Sequence, residues 1–216
     1  MKFFVFVTMF LMFSLPVHSQ EMTEKLLHSN QYYEMVHVIT PTNEYVRYTG
    51  DIFNNTTYNI NLALSQTGAD TLYMNSYGGH ALESFALGYF LKENDDLNVV
   101  VDTKSVCVSA CAFAVSASEN LEIRNETGLY FHMPYAINLP TDKKLEDIMK
   151  GDSIVLYETI FYLISVGFSV DFIDVLVYET SRDTYMQIET LAELEKFKGV
   201  SELYNGVGEY NLKIMR

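Results

Sequence analysis

The sequence predicts an α/β domain with a largely parallel sheet and flanking helices, and three observations lead to this fold class. Strand-like and helical segments alternate along most of the chain. The apolar run Leu97–Asp102 is typical of a strand buried on both faces. The chain has 216 residues, of which 49% are hydrophobic and 19% charged. This composition excludes intrinsic disorder and is sufficient for one domain with its own core.

The first half of the domain is predicted from local patterns. Two segments rich in Tyr and Val, Tyr33–Thr40 and Tyr45–Ile52, read as strands on either side of a turn at Pro41. Apolar residues at helical spacing predict helices at Thr57–Gln66 and Ala81–Asn94. Between these helices, Asp70–Ser76 is predicted to be a short strand that ends before Gly78 and Gly79.

The second half continues the alternation. Small apolar residues predict a buried helix at Ser109–Ser118, and the longer apolar stretches predict two helices broken at Gly167. The remaining strands are predicted at Leu121–Arg124, Gly128–Phe131 and Val200–Leu203. The remaining helices are predicted at Asp142–Val166, Phe168–Tyr178 and Leu191–Phe197.

The N-terminus has the pattern of an export signal. Lys2 precedes the apolar run Phe3–Phe13, and Pro16 lies shortly before Ser19. We predict a signal peptide at residues 1–19, cleaved after Ser19, with the folded protein in the periplasm or outside the cell. An uncleaved signal anchor is the alternative, and it is the only membrane contact that we expect. Residues 20–32 are predicted to form a polar lead-in, either a short helix or unstructured, before the domain at 33–216.

The charge balance excludes one class of partner. The formal net charge is −14. Because nucleic-acid binding needs clustered Lys and Arg at the phosphates, the sequence predicts no nucleic-acid partner.

Three places in the sequence are candidates for chemistry. Gly78 and Gly79 join a strand to a helix, where backbone N–H groups can hold an oxyanion, although a plain tight turn explains them as well. Ser109 lies at the start of a helix beside the N–H of Ala110, so it is either a nucleophile or an N-cap. His132 follows a strand, and it is either a general base or a histidine satisfied locally.

Two cysteines, Cys107 and Cys111, bracket Ser109. Export permits a disulfide, but the bond also requires the two Cβ atoms to converge, and two buried thiols are the alternative. Two cysteines are too few for a zinc site built from cysteine alone.

In combination, these segments resemble the proteolytic subunit of the Clp protease, ClpP, within the crotonase superfold. The turn Asn75–Gly79 (NSYGG) is similar to that family's Asn-Ser-Pro-Gly-Gly turn, with Tyr77 in place of proline. Ser109-Ala110 falls where the family has its nucleophile, followed there by methionine. Phe131–Pro134 resembles the family's His-x-Pro motif, and Arg182–Met186 its Arg-Asp segment. Together with the export signal, the pattern Cys-x-Ser-Ala-Cys is most similar to exported Clp-like proteins.

The resemblance implies an exported, ATP-independent serine peptidase that hydrolyses peptides or unfolded proteins without a metal or organic cofactor. Ser109, His132 and Asp183 would form the triad, with Gly78 and Ala110 as oxyanion donors. Asp171 and Asp174 remain alternatives to Asp183. His80 is a rival base.

The resemblance also implies a homo-oligomer assembled through the apolar stretch Ile154–Val170, whose alternative is burial within its own core. The competing function is a catalytically inactive protein that keeps the fold as a binding or scaffold module.

Overall fold

The structure is a computed structural model that describes residues 22–26, 35–126, 128–135, 145–181, 184–198 and 213–215. The predicted signal peptide at residues 1–19 and the predicted strand at 200–203 lie outside these residues. Within the described part of the chain, no helix is both long enough and apolar enough to cross a membrane.

A six-stranded sheet in sequence order forms the centre of the domain. The first three strands pair with one another in antiparallel fashion. The third to sixth strands pair in parallel. This mostly parallel sheet confirms the predicted fold class. The strands are β1 (Met22–Leu26), β2 (Met35–Pro41), β3 (Val46–Gly50), β4 (Thr71–Asn75), β5 (Asn98–Val101) and β6 (Leu121–Ile123).

Strand β1 corrects the predicted polar lead-in, since it lies inside residues 20–32 and is neither helical nor unstructured. Its backbone pairs with β2 from Met22 opposite Ile39 to Leu26 opposite Met35. The segment alternates polar and apolar residues only weakly, so the pairing with β2, a tertiary contact, determines its conformation.

Six helices are described, and both ends of each lie within three residues of the predicted bounds. Helix α1 ends at Gly68, which adopts a left-handed conformation (φ 69°), and α6 begins with a capping box formed by Thr190 and Glu193. The helices are α1 (Thr56–Thr67), α2 (Ala81–Glu93), α3 (Ala110–Val115), α4 (Leu145–Ser165), α5 (Val170–Glu179) and α6 (Leu191–Lys196).

A second, three-stranded antiparallel sheet was not predicted. It consists of β7 (Leu129–Phe131), β8 (Tyr185–Ile188) and β9 (Lys213–Met215), in that order. Only β7 was expected as a strand. The second sheet lies beside the first because Val108, which follows β5 in the chain, forms a parallel bridge with Tyr130 of β7.

Helix α3 lies at the centre of the core, and all six of its residues are buried. Aromatic rings pack around it: Phe113 contacts Phe85 and Phe131 edge to face. The fully buried Tyr162 of α4 stacks on Phe85, and its hydroxyl donates to the carbonyl of Phe113 at 2.8 Å. This packing holds the start of α3, and therefore residue 109 immediately before it, against a rigid interior.

Candidate functional site

Three backbone segments meet side by side at the carboxyl end of the parallel strands. The N–H of Ser76, just after β4, donates to the carbonyl of Val106 (2.9 Å), and the N–H of Val108 donates back to Ser76 (3.1 Å). On the other side, the N–H of Ser109 donates to the carbonyl of Tyr130 (2.7 Å). The register therefore places the Gly78 turn, Ser109 and the residues after Tyr130 next to one another.

The backbone of Ser109 has an unusual conformation. Its φ is 55° and its ψ is −120°, and Asn55 is the only other non-glycine residue with positive φ within the described residues. Although Ser109 precedes α3, its side chain makes no capping hydrogen bond. The N-cap interpretation therefore does not account for this serine. A strained turn between a strand and a helix is the geometry that presents a nucleophilic hydroxyl in serine hydrolases.

Gly78 lies directly against the Ser109 turn. A Cβ placed on Gly78 would be 2.8 Å from the Cβ of Ser109 and 2.9 Å from the carbonyl oxygen of Val108, and the φ of Gly78 is +111°. Glycine is therefore required here both by the close approach and by the backbone conformation. The N–H of Gly78 donates to the Oγ of the buried Ser76 at 3.0 Å, whereas the N–H of Ala110 is the first of α3 and has no carbonyl partner inside that helix.

The glycine turn is also fixed from its far side. Ile52 donates its N–H to the carbonyl of Gly78 and accepts from the N–H of His80, both at 2.7 Å. A Cβ on Gly79 would collide with the carbonyl of Ile52. The imidazole Nδ1 of His80 accepts from the N–H of Glu83 at 3.3 Å and caps α2. This cap gives His80 a structural role.

His132 follows β7 and is 5% exposed. Its ring lies 4.8 Å from the ring of Tyr185 and 5.6 Å from that of Tyr135. Burial lowers the pKa of His132 below its ordinary value. Within the described residues, the Nδ1 atom of His132 is buried and has no hydrogen-bond partner. Because burial favours the neutral imidazole, His132 has the protonation state that a general base requires.

Asp183, together with Arg182, lies outside the described residues, but the residues on either side of this pair contact the histidine segment. Thr180 accepts the N–H of Met133 on its Oγ1 at 2.9 Å, and Tyr185 packs on the ring of His132.

The alternative acids, Asp171 and Asp174, are on α5, whose C-terminal end precedes Thr180. At 1.5 Å per residue, their Cα atoms lie about 13 Å and about 9 Å along the helix axis from Thr180. In the sequence, Asp171 and Asp174 lie nine and six residues from Thr180, whereas Asp183 lies three residues from it.

The two cysteines form a disulfide. Cys107 is in the extended segment before Ser109, and Cys111 is in the first turn of α3, so the sharp turn at Ser109 brings their Cα atoms to 5.1 Å. Both cysteines are fully buried. The disulfide therefore links the residues on either side of the Ser109 turn.

Two residues that support the site had no sequence signal of their own. The side chain of Asn75 accepts the N–H of Val106 (3.0 Å), which joins the end of β4 to the segment before Ser109. Thr180 joins α5 to the segment after His132. Asn75 belongs to the motif that resembles the ClpP turn, but its partner 31 residues away becomes evident only from the fold.

Comparisons with known proteins support the fold and nothing finer. No family model matches the chain, and no curated protein does. Among solved structures, the chain is similar to that of a ClpP1 point mutant from Listeria monocytogenes, with a TM-score of 0.52 and 15% identity. The alignment covers 73% of this chain and 91% of that one. The protein thus has a ClpP-like α/β fold.

Proposed function

We propose that the protein is a serine peptidase in which Ser109 is the nucleophile and His132 its general base. The observation that carries the proposal is the strained backbone of Ser109, whose side chain makes no capping bond and which is held between Gly78 and the strand that leads to His132. In this mechanism, Ser109 Oγ attacks a peptide carbonyl while the neutral imidazole takes its proton. The imidazolium then returns the proton to the leaving amine.

The third member of the triad would be Asp183. Its support is the contact of Thr180 and Tyr185, on either side of this segment, with His132 and Met133. The Nδ1 of His132, which is buried and has no partner within the described residues, is the atom that an orienting carboxylate would accept from. A carboxylate there would fix the ring and stabilise its charged form during the reaction.

Two backbone N–H groups, those of Ala110 and Gly78, would stabilise the oxyanion. Ala110 follows the nucleophile, and Gly78 contacts the Ser109 turn. In the free protein, the N–H of Gly78 donates to Ser76 Oγ, so this donor would have to turn from the hydroxyl to the substrate when the tetrahedral intermediate forms. We expect catalytic hydrogen bonds to tighten only in that complex.

We further propose that the peptidase acts outside the cytoplasm on peptides or unfolded proteins, without ATP. The support for export is the sequence pattern of residues 1–19. A disulfide bond beside the nucleophile is compatible with an oxidising compartment.

The proposed homo-oligomer would form through α4. Four apolar side chains on this helix are more than half exposed, namely Ile154 (54%), Tyr157 (64%), Phe161 (60%) and Ile164 (56%). Their spacing of three, four and three residues is that of a coiled-coil seam, and the opposite face of α4 is buried in the domain through Tyr162 and Leu163. We call these four residues the α4 stripe. The pairing of two stripes would remove this apolar surface from water.

A fluorophosphonate probe followed by intact-mass analysis tests the chemistry. We expect one covalent adduct on the wild type. Ser109→Ala and His132→Ala should lower labelling by several orders of magnitude, because members of a triad act as a unit. Ser65→Ala changes an exposed serine on α1 and should label like the wild type. Melting curves of all variants separate lost chemistry from lost folding.

A folded wild type that remains unlabelled would favour the competing function, a binding or scaffold module. Equal labelling of the wild type and Ser109→Ala would refute the nucleophile assignment while leaving a reactive residue elsewhere.

A further inference from the structure

One hydroxyl joins helix α5 to the segment that carries His132. Thr180 is the residue that follows α5, and its side chain is buried. Its Oγ1 donates to the carbonyl of Leu176 at 2.5 Å and accepts the N–H of Met133 at 2.9 Å. The first bond fixes the direction of the hydroxyl, so its lone pair is held towards Met133.

The hydrogen bond between Thr180 and Met133, which we call the backbone anchor, lies just beyond the end of strand β7. The ladder between β7 and β8 ends at Phe131, which pairs with Met186, and His132 is the next residue. Among the residues that the structure describes, the N–H of Met133 is the first backbone donor after β7 that is bonded to a side chain of another element. The backbone anchor and the packing of Tyr185 on the ring therefore both contribute to where the imidazole points.

We infer that Thr180 is a positioning residue for the general base: its hydroxyl, bridging Leu176 and Met133, holds His132 in reach of Ser109. The inference rests on the proposed function. It adds a residue outside the triad whose role is carried by a side-chain hydroxyl, and it predicts that the hydroxyl, and not the shape of the side chain, is required.

The test compares two replacements of Thr180 with a matched control. Thr180→Val keeps the shape and removes the hydroxyl, and Thr180→Ser keeps the hydroxyl. Thr159→Val is the control, because Thr159 is a fully buried threonine of α4 whose hydroxyl donates to the carbonyl of Val155 (2.7 Å), also four residues earlier, without bridging to the site. Both valine variants lose the same local bond, but only Thr180→Val releases Met133.

The readouts are the inactivation rate and the binding constant of the fluorophosphonate probe. We expect Thr180→Val to lower the maximal inactivation rate by about 10- to 100-fold with little change in probe binding, since misplacing a reacting group by about 1 Å has an effect of this size. Thr180→Ser should restore most of the rate, and Thr159→Val should react like the wild type. Equal maximal rates for Thr180→Val and Thr159→Val would overturn the inference.

A second readout does not depend on activity. In a histidine-labelled sample, the NMR titration of His132, assigned with His132→Ala, should show a pKa nearer to its ordinary value in Thr180→Val, because a released segment gains water. If the wild type is not labelled by the probe, the proposed function fails, and the titration then decides only whether the Thr180 hydroxyl holds the segment that carries His132. An unchanged pKa of His132 in that case would overturn it.

Discussion

Gly78→Ala is the substitution that tests the contact between the glycine turn and the nucleophile. The added Cβ would lie 2.8 Å from the Cβ of Ser109, 2.9 Å from the carbonyl oxygen of Val108 and 3.2 Å from the nitrogen of Ala110. All three neighbours belong to the Ser109 turn. The turn cannot retreat freely, because the disulfide and the hydrogen bond from Ser109 to Tyr130 hold it.

The size of the effect follows from these distances. Carbon atoms pack at about 3.5–4.0 Å, so the contact with Ser109 is short by about 1 Å. A displacement of that size lowers the reaction rate by about 100-fold. The φ of +111° adds about 1–3 kcal/mol of backbone strain, and overpacking adds a similar amount, so we expect the free energy of unfolding to fall by about 2–6 kcal/mol.

Gly68→Ala is the control. Gly68 also has a positive φ (+69°), but a Cβ there would meet nothing within 4 Å. This variant should lose about 1–2 kcal/mol of stability and react at the wild-type rate. Probe labelling rates, measured well below both melting temperatures, separate the two effects. A folded Gly78→Ala that is labelled as fast as Gly68→Ala would refute the argument that Gly78 determines the position of Ser109.

Three further predictions concern assembly, pH and packing. Phe161→Glu in the α4 stripe should shift the protein towards monomer in light scattering. Tyr178→Glu is the control, since Tyr178 is an 80% exposed aromatic residue of α5, and it should leave the oligomer unchanged. A strictly monomeric wild type would contradict the proposed oligomer. Because burial lowers the pKa of His132 below its ordinary value of 6.5, the labelling rate should fall on acidification with a midpoint below pH 6.5. A midpoint above pH 6.5 would contradict this. Gly88→Ala drives a Cβ into the hydroxyl of Tyr162 and should destabilise the protein by about 1–3 kcal/mol in chemical denaturation. Its effect should be smaller in a Tyr162→Phe background, and equal effects in both backgrounds would contradict the collision.

The central sheet was predictable because its strands carry their own signal. The run at Leu97–Asp102 became β5, and the helices had apolar residues at regular spacing. Strand β8 was missed because its partner β7 is distant in sequence, and β1 was missed because its side chains are mixed, although its partner β2 is the next strand in the chain. Short strands with mixed side chains have no pattern that distinguishes them from loops.

The candidate site also has features that the sequence predicts and features that depend on the fold. Ser109 and His132 were proposed from the order of segments, and the structure places the two segments that carry them side by side. The sequence could not show that His80 caps α2 or that the N–H of Gly78 is already engaged, since both depend on local geometry. The sequence did not decide between a disulfide and two free thiols, because the two cysteines were taken to be near helical spacing. In the structure, Cys107 precedes the Ser109 turn.

The burial of the disulfide has a consequence for how the protein acquires its final state. Cys107 and Cys111 have no exposed surface, so neither an oxidant nor a small thiol reaches the sulfur atoms of the folded molecule without local unfolding. The bond is therefore made before α3 packs or while it is locally unfolded, and the packed protein exchanges it only slowly with thiols in solution. Two samples with the same sequence can then differ in this bond according to the conditions in which each one folded, and the difference persists after transfer to a common buffer.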